Sequence, residues 1–455
     1  MFKKWVAILC AGVMALSLAG CGGGGSDQAE TDTAQTEDSS GDSSSEDSSS
    51  DEEVTISIMW QQEVTEAFWD LPLEQFAEKY PNVKVEFESN PDASSVIRNL
   101  LNVQEAPDIF YSWISEVDYY SFAEEGLLYS VDDILQADNA EGTGTLGETI
   151  FSSGLELGEI DGSHYFLPTS KLIAGSFYSG KLFEDNGWTA PETWDEFMSL
   201  CGDISESGIT PYIYAGTYPY MLSDAFLVPM IHNLDAAAIE AINENTEGAW
   251  TQDAVVEAVQ RLQDMRDAGY IDKNSLAMDH IQSQSDFINN NDAFVPSGSW
   301  LEGEMEDSWP ADFDLQPIFA PSEESGSGTS TTAIVECMVL PKQEDDSKLE
   351  YITELLKLFY SEENQKYVAE NTGFLLATEE AADGVMEALP ASVQTMWNMV
   401  DEQNIEILTP TYKVRYKELL TELNNNINAL IQEEIDADEF CSRMDAKAQE
   451  ISSGE

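Results

Sequence analysis

Val54-Thr55-Ile56-Ser57-Ile58, followed by Met59-Trp60-Gln61-Gln62-Glu63, is the stretch from which the fold is read. The first five residues alternate apolar and polar side chains with the period of a strand. The polar and aromatic segment behind them reads as a loop at the strand's carboxyl end. A helix is expected next, with Phe68, Leu73, Phe76 and Tyr80 on its apolar side, stopped by Pro81-Asn82. Val83, Val85 and Phe87 then alternate as a second strand, a helical stretch covers about Val96 to Val103, and Asp108-Ile109-Phe110-Tyr111 reads as a third strand. Strands separated by helices predict an α/β fold with a mainly parallel sheet flanked by helices. In such sheets ligands lie beyond the carboxyl ends of the strands. Trp60 to Glu63 and Tyr111 to Trp113 fall there.

The pattern continues downstream. Thr193-Trp194-Asp195-Glu196 has capping-box spacing, and Trp194, Phe197, Leu200, Cys201 and Ile204 then recur at helical intervals, which assigns Trp194 to packing. Val255, Val259, Leu262 and Met265 mark a helix from about Ala254 to Ala268, ended by Gly269, and two more amphipathic helices are expected near Leu349 to Tyr360 and Tyr416 to Ile431. The roughly 400 residues after Glu53 exceed what one hydrophobic core usually serves, so two lobes are expected.

Composition excludes several functions. The net charge is −68, with acids spread along the whole chain, so nucleic acid and anionic lipid surfaces are repelled. Only five arginines occur, Arg98, Arg261, Arg266, Arg415 and Arg443, too few for a phosphate clamp to be expected. A neutral or cationic ligand suits this field. His164, His232 and His280 are far apart and no CxxC occurs, so neither a metal site nor a cofactor is expected.

The N-terminus carries an address. Lys3 and Lys4 precede an apolar run from Trp5 to Leu18, which is short for a membrane span and reads as a signal peptide. Leu18-Ala19-Gly20-Cys21 resembles the bacterial lipobox, which implies lipidation of Cys21 and removal of residues 1–20. Gly22 to Gly25 and the acidic, serine-rich Ser26 to Glu53 cannot bury enough surface to fold, so 21–53 is expected to be a disordered tether. Cys201, Cys337 and Cys441 then remain, an odd number that allows at most one internal disulfide.

Several segments, in order, resemble a known family. They are Val54 to Trp60, Tyr80-Pro81-Asn82-Val83, Ala106-Pro107-Asp108-Ile109, and Glu125-Gly126-Leu127-Leu128 leading to Val131-Asp132-Asp133. More specific is Asp161-Gly162-Ser163-His164-Tyr165-Phe166-Leu167-Pro168, continued by Tyr178, Leu182-Phe183, Gly187-Trp188 and Pro191-Glu192-Thr193-Trp194-Asp195-Glu196-Phe197; Gly298-Ser299-Trp300 adds a further match. Together they are similar to extracellular solute-binding protein family 1, the sugar-binding subunits of ABC importers related to maltose-binding protein. One departure is Ser179, where the family has asparagine after the tyrosine. The resemblance implies a two-lobed periplasmic-binding-protein fold of type II kind, closing on a ligand about a hinge. With crossovers expected at Pro168 to Leu172, near Gln316 to Ala320 and near Leu376 to Glu379, one lobe takes residues 54–168 plus 318–376 and the other 169–317 plus 377–455. It also implies a monomer, anchored by lipid on the outer face of the membrane of a bacterium, Gram-positive by the anchor, with an ABC permease and its ATPase as partners.

A sugar offers a C–H face to aromatic rings and a rim of hydroxyls to polar groups. The candidates for ligand contact are therefore Trp60, Gln61, Gln62, Glu63, Tyr111 and Trp113 from one lobe and Tyr178, Tyr214, Tyr218 and Trp300 from the other, with Lys171 beside a crossover. Trp300 follows Gly298-Ser299 and matches the family's stacking tryptophan. No catalytic residue is expected. Three other readings stay open: a secreted glycoside hydrolase using paired carboxylates, a binder of cationic solutes such as polyamines, and a surface adhesin displayed on the tether.

Overall fold

The computed structural model describes residues 54–305, 308–310, 312–325 and 329–454. The expected signal peptide, the lipidated Cys21 and the tether lie outside them.

Strand β1 (Val54–Gln61) pairs in parallel with β2 (Val83–Asn90) on one side and β3 (Ile109–Tyr111) on the other. Its alternation does what the sequence predicts: Ile56, Ile58 and Trp60 enter one apolar cluster while Met59 enters another with Phe110. The strand runs three residues past Ile58, so Trp60 and Gln61 belong to the ladder and not to a loop. The reason is β2, which offers partners as far as Gln61↔Asn90. The helices expected around Val96, Ala254, Leu349 and Tyr416 are Ala93–Val103, Asp253–Asp267, Leu349–Phe359 and Lys417–Ile431.

A small hairpin of β4 (Glu159–Ile160) and β5 (Ser163–His164) precedes the 14-residue β6 (Phe166–Ser179). Beyond it come β7 (Thr210–Tyr212), β8 (Asp292–Gly298), β9 (Leu315–Ile318), β10 (Ser330–Val339) and β11 (Glu406–Leu408). The main sheet runs β2-β1-β3-β10-β6-β8-β7, with β11 beside β10 and β9 beside β6. It is parallel at both ends, in β1 to β3 and in β7 with β8, and antiparallel where β6 and β10 cross its middle. The first half of β6 pairs with β10, and the second half turns to β8 and β9. A register shift after Glu336 leaves Thr169 unpaired, so Ser170 faces Glu336 and Pro168 faces Cys337. Pro168 has no N–H to give a ladder, and a bulge is where a central strand tolerates it. Its carbonyl accepts from Tyr360 Oη at 2.6 Å.

One core forms around β7 and β8 from Phe197, Phe226, Phe294, Leu262, Ile427 and Phe440. The C-terminal helices Lys417–Ile431 and Ala437–Ser453 supply part of it. Arg266, buried, donates to the carbonyls of Leu430 at 2.7 Å and Ile435 at 3.1 Å, satisfying the end of the first of these helices. Two other cores pack Trp60, Trp69 and Phe359 on one face of β1 and Phe110, Tyr119 and Phe166 on the other. Cys201, Cys337 and Cys441 are free and buried, so no disulfide links them. Among the described residues no single helix is long and apolar enough to cross a membrane. Ser179, the departure from the family pattern, caps the helix Gly180–Asn186 by accepting from Leu182 N at 3.2 Å, a task asparagine performs equally well.

The capping box expected at Thr193 forms. Thr193 Oγ1 accepts from Glu196 N at 3.3 Å, and the Glu196 carboxylate accepts from Thr193 N at 3.2 Å. Thr193→Ala should lower unfolding free energy by about 1 kcal/mol in urea titrations; an unchanged midpoint would show that the helix Trp194–Ser207 is held by packing alone.

Candidate functional site

The carboxyl end of β1 builds one wall. Glu63 caps a short 3₁₀ helix, Val64–Trp69, with Glu66 Oε1 accepting from Glu63 N at 3.2 Å. Its own carboxylate gathers three donors: Tyr111 Oη at 2.6 Å and Thr65 Oγ1 on Oε1, and Trp113 Nε1 at 2.6 Å on Oε2. Thr65 in turn accepts from Trp60 Nε1 at 2.9 Å. Trp60 stacks on Tyr111 with ring centroids 4.2 Å apart, and Tyr119 Oη holds the next residue by bonds to both Ser112 N and Ser112 O. Three side chains, Thr65, Tyr111 and Trp113, are thereby fixed to one carboxylate, and Trp60 is fixed to it through Thr65. Burial raises the pKa of Glu63; the hydrogen bonds of Thr65, Tyr111 and Trp113 oppose it.

These turns face a cavity of about 380 Å³, within the roughly 300–1,000 Å³ of small-molecule sites. Glu63, Tyr111, Trp113 and Glu116 line it on the β1 and β3 side; Tyr218, Tyr220, His280, Trp300 and Glu304 line it opposite; Ser170, Leu172 and Glu336, from the crossing strands, form the floor. Trp300 is held from behind. A Cβ added to Gly298 would collide with its indole, so only glycine leaves that ring its place. Ser299 N donates to Ile173 O at 3.0 Å, tying the turn to β6.

Charge is concentrated here. Asp224 and Lys413 form an ion pair with both side chains almost wholly buried, burial raising the pKa of the acid and lowering that of the amine while each charge compensates the other. Glu304 accepts from Gln284 Nε2 at 2.8 Å and lies 3.8 Å from His280 Nε2, and burial raises its pKa. Glu336 accepts from Ile114 N at 2.8 Å. Burial pushes its pKa up to about 8, with Glu63 and Glu116 adding to the shift and the Ile114 N–H and Lys417 opposing it. Among the described residues no group of three or more metal-ligating side chains occurs.

Of the eleven residues picked from sequence, the cavity brings together Glu63, Tyr111, Trp113, Tyr218 and Trp300. The other six are elsewhere. Trp60 is fully buried behind Tyr111. Gln61 is buried in side-chain bonds with Pro91 O and Ser112 Oγ, and Gln62 is exposed at the strand end. Tyr178 packs on Phe183, with ring centroids 4.2 Å apart, and Tyr214 is buried with its hydroxyl on Asn428 Oδ1 at 2.9 Å. Lys171 alternates with Ser170 and Leu172 on β6, so its ammonium lies on the opposite face, 4.5 Å from the Phe151 ring and 5.5 Å from Trp397. Trp194 packs as expected, 5.8 Å from the Phe197 ring.

Sequence reasoning missed Tyr220, Glu304, Ser170 and Glu336. For Glu336 a signal existed: it is the lone charge within the apolar run Ala333-Ile334-Val335-Glu336-Cys337-Met338-Val339-Leu340, and an isolated charge in a buried strand needs a reason.

A sequence model of the family described as bacterial extracellular solute-binding protein matches residues 60–366. Among relatives, the chain is 23% identical over 286 residues to a multiple sugar-binding protein of Streptococcus mutans, covering 62% of this chain and 66% of that one. It is 26% identical over 196 residues to a diacetylchitobiose-binding protein of Streptomyces coelicolor, covering 42% of this chain and 41% of that one. The chain thus spans less than two thirds of the length of either relative. Among solved structures, a chitin oligosaccharide binding protein superposes with a TM-score of 0.71 at 19% identity, covering 87% of this chain and 98% of that one. The apo form of RafE from Streptococcus pneumoniae gives 0.67 at 18% identity, covering 86% and 96%. At these identities the likeness is one of fold, and the fold is two-lobed.

The shifted carboxyl yields a pH signature. Between the ordinary glutamate value of 4.5 and about 8, the unfolded chain has lost a proton that folded Glu336 keeps, so stability falls as pH rises through that window. Glu336→Gln removes the effect. Its melting temperature should gain on the parent's from about pH 5 to about pH 8; parallel curves would show that the carboxyl ionises normally.

Proposed function

Since this chain belongs to the bacterial extracellular solute-binding proteins, we propose that it captures a carbohydrate, specifically an oligosaccharide, and delivers it to an ABC permease and its ATPase. One observation carries this. Trp113, Tyr218 and Trp300 share a cavity with Ser170 and several carboxyls, the pairing of ring faces with hydrogen-bonding groups that a sugar demands. The names of the relatives, which bind multiple sugars and diacetylchitobiose, point the same way. The lobes are 54–168 plus 318–376 and 169–317 plus 377–455, hinged where β6, β10 and the segment bridged at Ser170↔Leu376 run side by side. A ligand touching both lobes favours the closed form by its difference in affinity for the two forms. Binding without turnover is supported by the relatives, which are named as binding proteins and not as hydrolases.

The protein acts as a monomer. It is held on the outer face of the membrane by lipid on Cys21, with residues 22–53 setting its reach, and tethering raises its effective concentration at the permease.

Isothermal titration against chito-, malto-, xylo- and raffinose-type oligosaccharides tests the reading: at least one should bind, and none binding would sink it. Trp300→Ala should weaken that affinity by about tenfold or more, as expected for a buried aromatic anchor. Gly298→Ala should weaken it too, because the indole must give way to the added methyl. Unchanged affinity in both would remove Trp300 from the site.

A further inference from the structure

Glu336 on β10 and Ser170 on β6 are directly opposed in the antiparallel ladder, and both line the cavity. Such pairs have Cβ atoms about 4.5–5.5 Å apart, close enough for one ligand atom to touch both side chains. Glu336 Oε2 is taken by the Ile114 N–H; Oε1 accepts no hydrogen bond among the described residues. Ser170 Oγ has no partner either, although the residue is only 1% exposed. A buried hydroxyl left unsatisfied costs free energy, so a ligand atom that bonds it is favoured at this spot.

The charge balance says what kind of atom. Five carboxyls line the cavity (Glu63, Glu116, Asp224, Glu304 and Glu336) against Lys413 and His280. Lys413 is spent on Asp224, and His280 lies beside Glu304. Lys417 feels Glu116, Asp118 and Glu336, but does not line the cavity. Neither lining cation is paired with Glu336, so a carboxylate there has no counter-ion on the cavity wall and a ligand cation would supply one.

We infer that the ligand is a saccharide carrying a protonated amine, an amino sugar whose ammonium group bridges Glu336 Oε1 and Ser170 Oγ. This rests on the carbohydrate reading above and narrows it. Trp113, Tyr218 and Trp300 offer ring faces that attract a cation as well as a sugar. In the empty cavity Glu336 keeps its proton at neutral pH, held by burial and by Glu63 and Glu116. An arriving ammonium stabilises the carboxylate instead, and the carboxyl proton leaves to solvent.

The test is isothermal titration at neutral pH with four probes: the β-1,4 disaccharide of glucosamine, its N,N′-diacetyl form, raffinose, and spermidine. Repeating it in two buffers of different ionisation enthalpy counts the protons released. The glucosamine disaccharide should bind at least tenfold more tightly than its acetylated form, the scale of a close charge pair, with close to one proton released. E336Q should lose that preference, and the parent's preference and proton count stand even if that variant fails to fold. Equal or tighter binding of the diacetyl form or raffinose, without proton release, overturns the amine inference and leaves carbohydrate binding intact. Spermidine binding while no saccharide does overturns both.

Discussion

The pairing of β6 with β10, from Ile173↔Ala333 to Phe166↔Val339, is what the rest of the molecule hangs on. Each end of the sheet is an ordinary parallel α/β arrangement with its own core, and either could be imagined alone. The crossing strands make them one molecule. Because backbone groups in a central ladder must be satisfied, the two strands cannot slip without losing pairs along their whole shared length. The cavity floor is therefore the best-determined part of the site, while its walls come from turns at strand ends. The single irregularity in the ladder, at Thr169, sits beside the floor and sets which residues face the cavity. A ladder continued without a bulge from the Phe166 end would put Thr169, not Ser170, opposite Glu336.

Around this frame the protein accepts electrostatic cost. Burial raises the proton affinity of Glu63, Glu304 and Glu336, and the charge of Glu63 adds to the shift at the other two. Carboxyls are expensive inside a protein unless something compensates them. Glu63 repays the cost as a fastener, since its bonds to Tyr111, Thr65 and Trp113 preset the wall before any ligand arrives. Glu336 repays little within the chain, having one backbone donor for two oxygens. A residue that costs stability and has one oxygen open to a cavity is what a binding group looks like before it is used.

Much of the fold was legible in the sequence because period and caps are local. Val54 to Ile58, the Thr193 capping box and the helix from Asp253 to Asp267 are fixed by neighbours within a few residues, and the structure follows them closely. The site was half legible. Glu63, Tyr111, Trp113, Tyr218 and Trp300 could be picked because residue type and position relative to strand ends are both local properties. Trp60, Gln61 and Tyr214 do not line the cavity: how far β1 runs and what packs on each side chain depend on partners distant in sequence, and those are long-range facts. Ser170 and Glu336 are 166 residues apart in sequence, and only the ladder brings them together. No spacing rule would have paired them.

The most direct test is a crystal structure with the tightest-binding saccharide of the titrations. The account predicts a sugar ring lying against Trp300, with Trp113 and Tyr218 closing its sides, and its polar edge turned to Ser170 and Glu336. A saccharide seated anywhere else on the chain, or one in this cavity whose polar edge turns away from the Ser170 and Glu336 pair, would contradict it.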